Sequence, residues 1–260
     1  MPGGRLIDRY IDIFMPAYNA SQHIRSVLDR IPGTIWDTIG SVYIINDGST
    51  DTTRECIEQL SKEKPQVRPV HFEYNRGYGC AVERGLLLCK EGPCRMAVCL
   101  HADGQYAPEC IPQFERKITT DGFDLVQGSR IAPHTALAGG MPMYKFAANR
   151  ALTFFENIVF GMHMTDYHSG YLCYGRKALD TIPFESLSSS FDFDLEVIAC
   201  ARASGLKIGE ISIPTRYADE ISHLNPLAYG FRVLGVMGRY LLGRYKNLIS
   251  QPRSEPHIRN

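Results

Sequence analysis

Residues 41–63, SVYIINDGSTDTTRECIEQLSKE, decide the fold. Six mostly apolar residues (41–46) run into the polar turn formers DGSTDTT, and a segment with helical periodicity follows. The order reads as strand, loop, helix, with Ser49 or Asp51 placed to cap the helix. The same order flanks it on both sides. Upstream, IDIFM (11–15) ends at Pro16 and leads through a polar loop into a periodic segment from Ser21 to Ile31. Downstream, VHFEYN (70–75) passes through the glycine-rich RGYG into CAVERGLLLCK, and a fourth apolar run, RMAVCLHA, occupies 95–102. Strands alternating with helices predict an α/β fold, a mostly parallel central sheet flanked by helices, with a Rossmann-like first half.

In such sheets ligands bind beyond the carboxyl ends of the strands. Four polar loops are expected there: PAYNA (16–20), NDGSTD (46–51), NRGYG (75–79) and HADGQ (101–105). The second half is less regular. It holds a strand at FDLVQGSR (123–130), a Gly-rich loop ALAGGMP (136–142) and a helix from about Tyr144 to Phe160. An extended SGYLCYG (169–175), a helix around DLEVIACARASG, a strand KIGEISIP and a helical stretch after Pro226 complete it. Domain boundaries are expected at 1–225 for a catalytic domain and 226–260 for an amphipathic helix and tail.

Lys plus Arg and Asp plus Glu both number 28, so overall charge gives no argument for nucleic acid. The eight cysteines show no paired CxxC spacing and read as reduced, buried thiols of a cytosolic protein rather than zinc ligands or a disulfide scaffold. The first residues show no secretory signal pattern, and no stretch is long and apolar enough to span a bilayer. A cytoplasmic protein, peripheral on the inner face of a membrane, is the expectation. Between Leu227 and Ile249 apolar or small residues recur at helical spacing, with Arg232, Arg239 and Lys246 seven apart on another face. Such a helix suits an anionic membrane surface, and suits packing on the catalytic domain or in a homodimer equally.

A nucleotide sugar presents a base, a ribose diol and a diphosphate, so its site needs a carboxylate for base or ribose donors and a divalent metal for the phosphates. Asp47 follows a buried strand, with Tyr18 and Asn19 at the neighbouring strand end; Asp47, Gly48 and Ser49 are equally common turn formers. If HADGQ continues extended, His101, Asp103 and Gln105 point to one side. A carboxylate with an imidazole suits Mn²⁺, and a carboxylate with waters and phosphate oxygens suits Mg²⁺.

The ordered set MPAYNA, INDGSTD, NRGYGCAVERG, HADGQYAPE and QGSR resembles the family 2 glycosyltransferases of the GT-A fold, and within them the dolichyl- and polyprenyl-phosphate sugar synthases, over about residues 10–225. The resemblance implies an inverting transferase that moves a hexose from a UDP- or GDP-hexose to a polyprenyl phosphate. Pro16, Tyr18, Asn19 and Asp47 then line the nucleoside pocket beside Asn75, Gly77 and Gly79. The family's metal motif carries two acids; here Asp103 and Gln105 match, and His101 stands for the first acid. Ala20 stands where many relatives have Glu. Arg130 in QGSR resembles the synthases' phosphate-contacting arginine, and Lys145 and Asn149, four apart on one helix face, resemble the Arg and Ser that hold the lipid phosphate. Arg216 lies near a further phosphate contact. The implied cofactor is Mg²⁺ or Mn²⁺ at Asp103, and a membrane partner is compatible.

A phosphate acceptor is already an anion and needs no general base, whereas a hydroxyl acceptor on a polysaccharide or lipid-linked saccharide does. Asp166, Asp192, Asp194 and Glu196 are the candidate bases for that second reading, with structural roles as their alternative. A non-catalytic sugar-nucleotide-binding subunit is the third reading.

Overall fold

In the computed structural model the described residues are 9–131, 143–214 and 226–250. Seven strands, β1 (Ile11–Ala17), β2 (Ile39–Asn46), β3 (Val67–His71), β4 (Met96–Cys99), β5 (Leu125–Ser129), β6 (Leu172–Gly175) and β7 (Ile208–Ser212), form one sheet. Its order is β3-β2-β1-β4-β6-β5-β7. Strand pairs β1/β2, β2/β3, β1/β4 and β5/β7 are parallel; β6 alone runs against its neighbours β4 and β5. The helices are α1 (Ile24–Asp29), α2 (Gly33–Trp36), α3 (Thr53–Glu63), α4 (Tyr78–Glu91), α5 (Ile111–Thr119), α6 (Met143–Phe160), α7 (Arg176–Thr181), α8 (Phe193–Ala203), α9 (Pro226–Leu241) and α10 (Arg244–Ser250).

Both faces of the sheet are buried because successive side chains alternate across it. On one face Ile13 and Met15 of β1 and Val98 of β4 pack with α1, α3 and α5. On the other, Phe14 and Cys99 pack with α4, α6, α8 and α9. Helix α4 comes close to the sheet at Gly85, where a Cβ would lie 2.6 Å from the Phe14 ring.

Four details depart from the sequence expectations. Strand β3 begins at Val67 and ends at His71, because the register with β2 runs Val42↔Val67 to Asn46↔His71; Glu73, Tyr74 and Asn75 are exposed loop residues. The first helix is short, starting at Ile24 rather than Ser21. Strand β4 stops at Cys99, and HADGQ is not extended: Gly104 has φ 78°, and the Gln105 amide turns back to donate to Asp103 Oδ1 at 2.9 Å. The alternation that would put His101, Asp103 and Gln105 on one side therefore does not apply, since an Asx-type turn replaces the strand.

The C-terminal stretch is two helices, broken at Gly243 (φ 70°), rather than one. Helix α9 has two apolar sides. Val233, Val236 and Met237 face the core, while Phe231, Leu234 and Leu241 are exposed. Arg232 and Arg239 reach the acids at the start of α8, with Arg239 Nη2 2.8 Å from Glu196 Oε1 and Arg232 Nη1 3.4 Å from Asp192 Oδ1. Two of the three residues of the basic stripe thus serve the protein's own packing. All eight cysteines are free; six are buried and Cys56 and Cys80 are half-buried.

The Gly85 contact gives a stability test. Gly85→Val should cost about 1–3 kcal/mol through overpacking against Phe14 and lower the melting temperature by several degrees. Gly33→Ala, where the added Cβ meets nothing within 4 Å, should leave it nearly unchanged. Equal melting curves for wild type and Gly85→Val, followed by circular dichroism, would refute this helix–sheet contact.

Candidate active site

The strand order reverses between β1 and β4, which places the loops after β1 and β4 on either side of the crevice where such sheets bind ligands. The loop after β2 lies beside them. Asp47 begins that loop and is buried; its Oδ1 accepts the Arg76 amide at 2.7 Å and its Oδ2 the Gly77 amide at 3.0 Å. One carboxylate thereby ties NDGSTD to NRGYG. The contact is tight: a Cβ on Gly48, whose φ is 64°, would fall 2.3 Å from the Tyr74 carbonyl carbon. Asn75 Oδ1 also accepts the Gly77 amide, at 3.1 Å.

The loop after β1 is tied to the same neighbour. Asn19, at φ 49°, donates its amide to Ser49 Oγ at 3.0 Å, and its Oδ1 accepts the Thr50 amide at 2.9 Å. Ser49 is thus a loop tie. Asp51 takes the capping work, accepting the Thr53 amide at the start of α3 and the Ser21 hydroxyl at 2.7 Å. Pro16 sits in β1 opposite Ile45, and the ring of Tyr18, 47% exposed, is available for stacking at the strand end. Gly79 lets α4 start against the 188–189 backbone, where a Cβ would lie 2.4 Å from the Ser189 carbonyl carbon.

The loop after β4 carries His101 and Asp103. The His101 ring packs edge-on to Tyr106 and Tyr78, with centroids at 4.9 and 5.5 Å. Burial lowers its pKa, so the imidazole is neutral. His101 Nε2 lies 3.1 Å from the Tyr78 hydroxyl, which donates to Asp194 Oδ2 at 2.7 Å. Asp194, at the start of α8, is buried, and burial raises its pKa to about 7 against the Tyr78 hydrogen bond, which lowers it. Gly170 closes this group from the far side: a Cβ there would sit 2.7 Å from the Tyr78 oxygen and 2.8 Å from His101 Nε2.

Strand β5 ends at the same edge and delivers Arg130. Its Nε donates to Asp166 Oδ2 at 2.9 Å and its Nη2 to the His168 carbonyl at 2.8 Å. Asp166 is fully buried and also accepts the His168 amide at 2.9 Å and Asn149 Nδ2 at 3.3 Å. Burial acts to raise its pKa, but the Arg130 charge and hydrogen bonds overcome this and hold it at about 2. Asn149 therefore joins Arg130 through a shared carboxylate. Lys145 lies on α6, four residues before Asn149, with its side chain outside the described residues. Arg216 and the loop 136–142 also lie outside them.

The structure thus gathers Asn19, Asp47, Asn75 and Gly77 in one hydrogen-bonded loop cluster, and Arg130 with Asn149 in another around Asp166. Tyr78 and the pairing of Asp194 with it escape sequence reasoning, because a tyrosine inside a glycine-rich loop carries no spacing that marks a partner 116 residues away. Among the candidate bases, Asp192 and Glu196 are bonded by Ser188 and face arginines of α9, while Asp166 is held by Arg130.

A sheet of this order, mostly parallel and flanked by helices, with carboxylate-latched loops at its carboxyl edge, is that of the GT-A glycosyltransferases. The chain belongs to glycosyl transferase family 2, whose family model matches residues 12–182. It is 29% identical over 226 residues, 82% of this chain and 88% of the other, to the UDP-N-acetylglucosamine–dolichyl-phosphate N-acetylglucosaminyltransferase of Methanococcus voltae. It is 26% identical to the undecaprenyl-phosphate mannosyltransferase of Micrococcus luteus, over 76% of this chain and 80% of that one. Among solved structures, glucosyl-3-phosphoglycerate synthase from Mycobacterium tuberculosis shares the fold, with a TM-score of 0.62 at 20% identity, covering 95% of this chain and 82% of that one. The same enzyme has been solved with Mn²⁺ and uridine diphosphate.

Asp166 sets a pH test. A carboxyl lowered from 3.8 to about 2 contributes stability that is complete above pH about 4 and is lost as pH falls through about 2. The contribution is roughly 2 kcal/mol. Urea unfolding of wild type and Asp166→Asn across pH 5 to 2 should show the difference in stability between them shrinking with acid; a difference independent of pH would contradict the buried ion pair.

Proposed function

We propose that the chain moves a hexose, with inversion, from a UDP- or GDP-hexose to a polyprenyl phosphate. The observation that carries this reading is the presentation of Arg130 at the same sheet edge as the Asp47 loop cluster, with its guanidinium plane fixed by Asp166. The relatives named above, whose own names state dolichyl or undecaprenyl phosphate as acceptor, support it. Pro16, Tyr18, Asn19, Asp47, Asn75, Gly77 and Gly79 receive the nucleoside. Arg130 and Lys145, with Asn149 and Arg216, receive the acceptor phosphate by their charge and hydrogen-bond donors.

The donor set after β4 suits a hard divalent cation. Asp103 Oδ1 is turned to the Gln105 amide, which leaves Oδ2 for a metal, and neutral His101 adds an imidazole. No group of three or more His, Cys, Asp or Glu able to hold an ion occurs among the described residues, so diphosphate oxygens and water would complete the shell, as Mg²⁺ and Mn²⁺ accept. When bound, the metal neutralises charge developing on the leaving nucleoside diphosphate. The acceptor phosphate oxygen, anionic already, attacks the anomeric carbon in line with that leaving group.

No helix among the described residues is long and apolar enough to cross a membrane. Helix α6 exposes Phe154, Phe155 and Ile158, and α9 exposes Phe231, Leu234 and Leu241. These apolar side chains support peripheral contact with the bilayer that holds a lipid acceptor. One observation favours a second reading, transfer to a hydroxyl: the raised pKa of Asp194 suits a general base.

Purified protein with Mn²⁺ and a panel of nucleotide sugars, with and without a short polyprenyl phosphate, tests the proposal. Product should form only with the lipid phosphate, and Asp103→Ala should lose roughly 10²-fold or more of turnover. Donor hydrolysis indifferent to the lipid would overturn the acceptor assignment.

A further inference from the structure

Helices α9 and α10 meet the start of α8 in an open cleft of about 370 Å³, none of whose lining residues belongs to the loops after β1 to β4. Arg232 and Arg239 of α9 and Arg244 of α10 line it together with Asp192 and Glu196. Both carboxylates are buried and committed to the protein itself. Glu196 Oε2 accepts the Ser188 amide at 2.6 Å, and its Oε1 accepts the Tyr245 hydroxyl and Arg239 Nη2, both at 2.8 Å. Asp192 Oδ1 accepts the Ser188 hydroxyl at 2.8 Å, while Arg232 Nη1 reaches that oxygen only at 3.4 Å.

The guanidiniums are not used up in the same way. A guanidinium carries five N–H donors in a planar fork that matches phosphate. Arg232, its side chain 51% exposed, commits one nitrogen to the long contact with Asp192. Arg244 is exposed and makes no hydrogen bond or ion pair with a described residue. Three guanidiniums against two carboxylates leave the cleft one formal positive charge in surplus. That surplus rests on the two side chains whose donors are unspent. The volume suits a small ligand, and Ser186 adds a hydroxyl to the lining.

We infer that this cleft is a binding site for a phosphate-bearing anion, held by Arg232 and Arg244, while Arg239 stays with the acids. It is distinct from the acceptor-phosphate site at Arg130 and does not depend on the transfer reading above. A phosphate compound in solution and an anionic lipid headgroup share this chemistry. Phe231, Leu234 and Leu241, exposed on the same α9, would meet the apolar part of a lipid.

Two arms on the full chain test the site and separate the sources. Inorganic pyrophosphate is titrated calorimetrically into the protein without divalent metal. Sedimentation with phosphatidylcholine vesicles, with and without phosphatidylglycerol, forms the lipid arm. Arg244→Gln breaks no bond to a described residue, so its effect is read on a folded protein; Arg232→Gln is the second variant. Lys246→Gln, on the same α10 but outside the lining of this cleft, reports general surface charge. Each arginine variant should weaken binding by roughly 10-fold, and Lys246→Gln should leave it nearly unchanged. Pyrophosphate binding assigns a ligand in solution, and binding confined to the phosphatidylglycerol vesicles assigns a headgroup. No binding in either arm overturns the inference. So does binding that survives both arginine variants, which places the anion elsewhere, or an equal loss in Lys246→Gln, which reduces the cleft to diffuse surface charge.

Discussion

Strand β6 runs against β4 and β5, so its start rather than its end meets the carboxyl edge of the sheet. That reversal carries the segment 165–171 to the place where the parallel strands deliver their loops. Asp166 is thereby set against Arg130 at the end of β5, and Gly170 against His101 beyond β4. Were β6 parallel, the same residues would lie on the opposite edge, and Arg130 would have no buried carboxylate to fix its plane. The donor side of the site is built on the loops after β1, β2, β3 and β4; the acceptor side depends on this one reversed strand.

Two buried carboxylates at that edge show how environment divides similar groups. Asp166 accepts hydrogen bonds from Arg130, His168 and Asn149 and stays ionised far into acid. Asp194 has a single phenolic donor and is poised near neutrality. A charged, multiply bonded carboxylate is a fixed anchor, which suits the holding of a cation against an anionic acceptor. The acceptor side is also joined to the C-terminal helix. His168, whose backbone meets both Arg130 and Asp166, packs between Glu156 of α6, 3.3 Å from its Nε2, and the Tyr229 hydroxyl of α9, 3.0 Å from its Nδ1. Helix α9 is therefore part of what holds the site as well as a surface element.

Much of this was legible in the residues. Buried parallel strands read as short apolar runs, and turn formers after each run mark the edge where ligands bind, so the three strand–loop–helix units, the fourth strand and the loops bearing Asp47 and Asp103 follow from local pattern alone. What escaped has a physical reason in each case. The reversal of β6 is a choice of strand partner, which SGYLCYG does not encode locally. The turn at HADGQ depends on Gly104 and on Asp103 capturing the Gln105 amide, which overrode the alternation expected of a strand. The C-terminal helix breaks at Gly243, which takes a positive φ, and the inward turn of Arg232 and Arg239 came from Asp192 and Glu196 at the start of α8, which a helical stripe cannot reveal. Burial alone raised Asp194 toward neutrality, and burial is a property of the packed state.

The central claim is that the acceptor is a phosphate, attacking without help from a general base. The direct measurement compares two acceptors of equal chain length, a polyprenyl phosphate and the corresponding polyprenyl alcohol, in single turnovers with the active nucleotide sugar. The account predicts glycosylated product from the phosphate alone, with the anomeric configuration inverted and with turnover surviving Asp194→Asn. Product from the alcohol, lost in Asp194→Asn, would contradict it and make Asp194 the base of a hydroxyl-directed transferase.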